Sequence, residues 1–119
     1  MKKVIVILFG CFLPAINCFP ASMSGAQPCG VWANDRKQRV WVNEREEMGR
    51  AAVVEGTWLA GYLSGIADGT DKDFLRGTDV KSIEKWMDNY CKANPFGNTV
   101  DGAGALAKEL MKQKGLLKK

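Results

Sequence analysis

Two cysteines, Cys29 and Cys91, carry the clearest chemistry in this sequence, because they are the only thiols left once an apolar leader holding Cys11 and Cys18 is set aside. Two thiols with no third competitor in an oxidising compartment form one disulfide. Such a bond closes a loop over most of the remaining chain, worth about 4 kcal/mol by the chain-entropy argument. Little else offers reactivity. The 119 residues contain no histidine, which removes the usual general base, proton shuttle and metal ligand, and with them triads and zinc-hydrolase motifs. Asp68, Asp71 and Asp73 have the look of a calcium loop, but Leu75 stands where an oxygen ligand is required and Arg76 where the sharp turn needs glycine. Glu46 and Glu47 are adjacent and would point in different directions from a helix or a strand. Ser64 has no base in view, and Tyr62 and Tyr90 lie on apolar faces, as core residues whose hydroxyls reach the rim. The expectation is a non-enzyme with no metal and no cofactor.

The leader sets the compartment. Met1, Lys2 and Lys3 form a positive end, Val4–Ile16 is almost wholly apolar, and small and turn-forming residues follow from Pro20 to Pro28. Such an apolar run falls short of the roughly 20 residues needed to cross a bilayer, and the pattern reads as a cleavable signal peptide. Ser24 and Ala26 fit the small-residue positions before a cut, dividing the chain into a signal peptide, residues 1–26, and a single domain, residues 27–119, with cuts near Ala21 or Ser22 as alternatives. Asn17 before Cys18, and the short apolar run before Cys11, argue against lipid anchoring. The expected destination is the periplasm. The full chain has a net charge of +4, and losing Lys2 and Lys3 leaves it nearly neutral. No basic stripe interleaved with aromatics is present, so nucleic acid is not an expected partner. The most apolar later stretch, Gly56–Ala67, is short, follows Glu55, and suits a buried helix better than stable membrane insertion.

The elements that would position these residues are mainly helical. A short helix fits Cys29–Gln38, with Cys29 and Trp32 on one face and Trp32 covering the disulfide. Residues 39–52 are harder: Arg39–Asn43 alternates like a strand, Glu44–Arg50 is charged, and Gly49 interrupts any long helix, so the segment reads as an irregular connector able to hold a helical turn. From Val53 to Asp68, Trp58, Tyr62 and Ile66 recur every four residues beside Leu59 and Leu63, while Gly61, Gly65 and Gly69 form a small-residue row against which another helix is expected to pack. Asp68–Asp79 reads as a loop. Asp79 is a good N-cap for a helix to about Ala93, with Val80, Ile83, Trp86, Met87, Tyr90 and Cys91 inward, ended by Asn94 and Pro95. A last helix, Val100–Lys114, turns Val100, Ala103, Leu106, Ala107, Leu110 and Met111 inward and places Asp101 at its positive end. The fold class expected is all-α: a compact bundle of about four helices with one interhelical disulfide.

The string Trp58–Gly65, followed by Trp86, Asp88–Cys91, Asn94 and Pro95 and then an Ala/Leu helix, resembles a class of small exported bacterial proteins. These include the type VI secretion amidase immunity proteins of the Tai and Rap type, and their helical layout is similar to that of the HdeA acid chaperones. The resemblance runs from Cys29 to about Lys112, although immunity members often carry more cysteines than the two retained here. It implies a compact, often dimeric protein that binds a peptidoglycan amidase effector and blocks its substrate groove with a protruding loop. Asp71, Lys72, Asp73, Phe74, Leu75 and Arg76 are the expected loop, with Phe74 as its apolar anchor and the charges setting orientation. The alternative is that Phe74 and Leu75 fold back to cap the core. Trp41 beside Val40 and Val42 is a second candidate contact patch if exposed, or else packing over a helix pair. The HdeA-like alternative is an acid-stress chaperone in which protonation of Glu44, Glu46, Glu47, Asp71 and Asp73 leaves an excess of positive charge that loosens the assembly.

Overall fold

The computed structural model describes residues 26–117. The expected signal peptide, apart from Ala26, lies outside the described residues, as do Cys11 and Cys18. The elements run α1 (Cys29–Asp35), β1 (Arg39–Val42), β2 (Arg45–Met48), α2 (Arg50–Thr70), α3 (Val80–Ala93) and α4 (Thr99–Gln113). Among the described residues the fold is therefore mostly helical with four helices, but strictly all-α is corrected by a small two-stranded sheet.

That sheet occupies the segment expected to be an irregular connector. Arg39, Val40, Trp41 and Val42 pair antiparallel with Met48, Glu47, Glu46 and Arg45. Asn43 and Glu44 make the two-residue turn, both with positive φ (49° and 63°). This is the mirror-image turn that matches strand twist; Asn is well suited to its first position, whereas glycine is preferred at the second. The charged stretch after Asn43 hid the second strand, because Arg45, Glu46 and Glu47 are all exposed and give no apolar alternation to read.

The helix ends follow local chemistry. Helix α2 stops where Asp71 turns left-handed (φ 52°) and the Lys72 amide donates back to the Ala67 carbonyl at 3.0 Å, satisfying a terminal acceptor. Asp79 caps α3 by accepting from the Ser82 amide at 2.9 Å and the Ser82 hydroxyl at 2.8 Å. Those donors favour the carboxylate and hold its pKa below the ordinary value. Asn98 caps α4 by accepting from the Asp101 amide at 2.8 Å, while its own amide donates to the Asp101 carboxylate.

Cys29, Trp32, Leu59, Leu63, Phe74, Ile83, Met87, Cys91, Ala103, Leu106, Ala107 and Met111 form one core. Cys29 and Cys91 lie at disulfide distance with their Cα atoms 4.9 Å apart, tying α1 to α3. The chain before α1 is also stitched to the start of α4: the Thr99 amide donates to the Gln27 carbonyl and the Cys29 amide to the Gly97 carbonyl, each at 2.9 Å. Trp58 stacks on Tyr62 and Trp86 on Tyr90, with ring centroids 5.1 and 5.6 Å apart. Val80, expected inward, is instead 48% exposed at the start of α3.

The expected role of the small-residue row is also corrected. An added Cβ at Gly61, Gly65 or Gly69 would meet nothing within 4 Å, so no helix packs there among the described residues. Close approach occurs at two other glycines. A Cβ at Gly56 would overlap Glu84 Oε1, and a Cβ at Gly102 would meet Met87 Sδ at 2.6 Å and Tyr90 Cδ1 at 2.8 Å. These glycines let α3 lie close against both α2 and α4.

Candidate functional site

Among the described residues, the hairpin is an element that the core does not absorb. Every strand residue except Met48 is exposed, and Trp41 is 77% exposed between Val40 and Val42. Because side chains alternate along a strand, Trp41 stands on one face of the hairpin and the two valines on the other. Apolar groups thus meet water on both faces. Val53 and Val54, in the first turns of α2 just after the hairpin, are also more than half exposed. A large aromatic left in water beside several branched aliphatics is a feature that association would bury.

Two-stranded hairpins are marginal on their own, so this one needs a base. The Gly49 amide donates to the Gln38 carbonyl at 3.0 Å, closing the hairpin where it joins α2. Arg39 Nη1 donates to the carbonyls of Arg36 and Gln38 at 2.7 and 3.1 Å, and Arg36 Nη1 reaches Met48 Sδ at 3.3 Å. The hairpin is therefore fastened to the C-terminal end of α1.

Arg36 also organises a cluster of acids beneath that base. Its Nε donates to Asp88 Oδ1 at 3.1 Å, its Nη2 lies 3.5 Å from Glu84 Oε2, and its guanidinium sits over the Trp32 ring, 5.4 Å from the centroid. Trp32 Nε1 donates to the same Asp88 oxygen at 2.8 Å. Glu55 of α2 completes the cluster. It is 2% exposed, and neither carboxyl oxygen has a hydrogen-bond partner among the described residues. Burial pushes its pKa up from 4.5 to about 7, the facing Asp35 carboxylate adds to the rise, and Arg36 opposes it.

The segment expected to protrude behaves differently. Phe74, its intended anchor, is fully buried in the core, so the anchoring role is corrected: the side chain fills space under the loop, as the fold-back alternative held. Asp71, Asp73 and Arg76 are exposed and Lys72 is half-buried. Asp73 accepts from Arg76 Nε at 2.8 Å, and the Arg76 carbonyl accepts from Lys114 Nζ, so the loop is braced onto the end of α4. Trp41 and the charged loop are separate features, one ahead of α2 and the other behind it.

Sequence reasoning turns Arg36 outward with Asp35 and Lys37, whereas it is half-buried and paired with Glu84 and Asp88, and it gives no site role to Glu55, Glu84 or Asp88. One signal was available for Glu55: it stands four and eight residues before Leu59 and Leu63, in phase with the buried row of α2. Among the described residues no group of three or more His, Cys, Asp or Glu side chains is arranged to hold a metal ion. No described helix is long and apolar enough to cross a membrane. Comparison with family models, curated proteins and solved structures finds no match to this chain.

Proposed function

We propose that this chain is an exported, non-enzymatic protein-binding domain acting as an immunity-type inhibitor: it places the β1–β2 hairpin in the substrate groove of a cell-wall amidase effector and blocks it by steric occlusion. The observation that carries the reading is Trp41, 77% exposed on a hairpin whose base is fastened by Gly49, Arg36 and Arg39. Such an element can enter a cleft at small conformational cost, since its backbone is ordered before the encounter. The amidase as occupant comes from the sequence resemblance and the periplasm as the place of encounter from the apolar leader; the disulfide fits an oxidising compartment. The binding element is assigned to the hairpin instead of residues 71–76 because Phe74 is withdrawn into the core.

The acid-stress chaperone stays the second reading. It needs acid to loosen the fold, whereas a buried Glu55 favours the closed fold in mild acid. Affinity capture of the oxidised protein from periplasmic extract, at neutral and acidic pH, separates the two. The inhibitor reading expects one stoichiometric partner at neutral pH, with amidase activity that the complex suppresses, and its loss with Trp41→Ala. Many substoichiometric clients bound only in acid would overturn it in favour of the chaperone.

A further inference from the structure

Glu55 and Asp35 pose a problem of hydrogen-bond chemistry that has one simple solution. Ionised carboxylates only accept hydrogen bonds, so Asp35, which already accepts from Asn34 Nδ2 at 3.4 Å, cannot satisfy the buried Glu55 carboxylate it faces. Among the described residues the cation that acts on Glu55 is already engaged: Arg36 Nε and Nη2 are directed at Asp88 and Glu84, and Nη1 at Met48. Around Glu55, α1 contributes Asp35 and Arg36, and Arg36 pairs with Glu84 and Asp88 of α3 while reaching Glu55 through its charge alone. A proton on Glu55 turns it into a donor toward Asp35 and supplies the missing hydrogen bond. Removing that proton leaves a negative charge on the buried Glu55 beside the Asp35 carboxylate.

The place where this repulsion acts is a joint. Helix α1 is pinned near its start by the disulfide to α3 and by the Cys29–Gly97 backbone bond, while its far end carries Asp35, Arg36 and the fastenings of the hairpin. We propose that the Asp35–Glu55–Glu84–Asp88 cluster around Arg36 is a proton-operated joint: it holds the hairpin base against α2 while Glu55 keeps its proton, and releases it when that proton leaves. The raised pKa of Glu55, about 7, puts the transition near neutrality. As a control on partner docking this rests on the hairpin being the docking element, but the joint itself can be tested without a partner.

The test is NMR of the oxidised, exported protein from pH 5 to 8.5, following the Glu55 carboxyl carbon, the amides of Gln38, Met48 and Gly49, and the Trp32 indole. The expected result is one shared transition near pH 7, with amide protection in the hairpin base falling at least about tenfold across it. The shift of Glu55 from 4.5 to about 7 sets a ceiling of ~300-fold. Glu55→Gln, neutral at every pH, should abolish the transition and keep the hairpin protected. Asp35→Asn, which removes the facing charge, should move the Glu55 midpoint down. A Glu55 carboxyl that titrates near 4.5, or one that titrates near 7 with hairpin amides indifferent to it, would overturn the joint. Loss of partner binding in Trp41→Ala leaves this result untouched, and an insensitive joint leaves the docking reading untouched, so the two failures are distinguishable.

Discussion

The same substitution, glycine to alanine within a helix, should change stability in opposite directions at two positions of this protein. At Gly102 in α4 the new methyl would sit 2.6 Å from Met87 Sδ, 2.8 Å from Tyr90 Cδ1 and 2.9 Å from Met87 Cε. All three lie inside normal contact distance, and one belongs to an aromatic ring stacked on Trp86. Overpacking of this kind costs about 1–3 kcal/mol, and the better helix propensity of alanine returns at most ~1 kcal/mol. Gly102→Ala should therefore destabilise by about 1–2 kcal/mol. At Gly61 in α2 nothing lies within 4 Å of the new methyl, so the propensity gain stands alone and Gly61→Ala should stabilise by about 0.5–1 kcal/mol. Thermal unfolding followed by circular dichroism with the disulfide intact reads both, since ~1 kcal/mol moves the Tm of a domain this size by roughly 4–8 °C. A Gly102→Ala protein as stable as wild type, or a Gly61→Ala protein less stable, would refute the assignment of close helix packing to Gly102 and open surface to Gly61.

Other expectations follow from the cluster, the crosslink and the turn. Because the folded pKa of Glu55 is raised, its contribution is complete below about pH 4.5 and is lost as pH climbs through about 7. Stability should decline by up to about 3 kcal/mol over that range, and Glu55→Gln should remove the decline in urea unfolding at stepped pH. Reducing the Cys29–Cys91 bond should cost about 4 kcal/mol, measured as the shift in urea midpoint with and without reductant. Glu44→Gly relieves a left-handed side chain at φ 63° and should raise amide protection within the hairpin about three- to fivefold.

The helices and the crosslink were legible because their signals are local and periodic. Asp79 capping α3, Pro95 following its end, and the three- and four-residue spacing of Ile83, Met87 and Cys91 were readable without tertiary information. The hairpin was half legible. Arg39–Val42 alternates as a strand should, but its partner is charged and pairs without burying either face, so no pattern betrays it. Periodicity could also not distinguish Gly61 and Gly65, which face water, from Gly56 and Gly102, which face side chains of α3; all are glycines in helices, and the difference lies in what stands opposite. Phe74 shows the same limit, since an apolar residue in a polar loop fits an exposed anchor and a core plug equally well. The acid cluster is assembled from α1, α2 and α3 across 53 sequence positions, from Asp35 to Asp88, and only the Leu59–Leu63 phase of Glu55 hinted that one member was buried.

The central claim is that the hairpin, with Trp41 at its exposed centre, is the surface that meets a partner. The most direct measurement places a photoactivatable amino acid at position 41, and separately at position 73, in cells that make the protein in its exported, oxidised form. Illumination should join position 41 to one protein of defined mass, identified by mass spectrometry as a cell-wall amidase, and position 73 to none. The same partner captured from position 73 but not from 41, or no single partner from 41, would contradict the account.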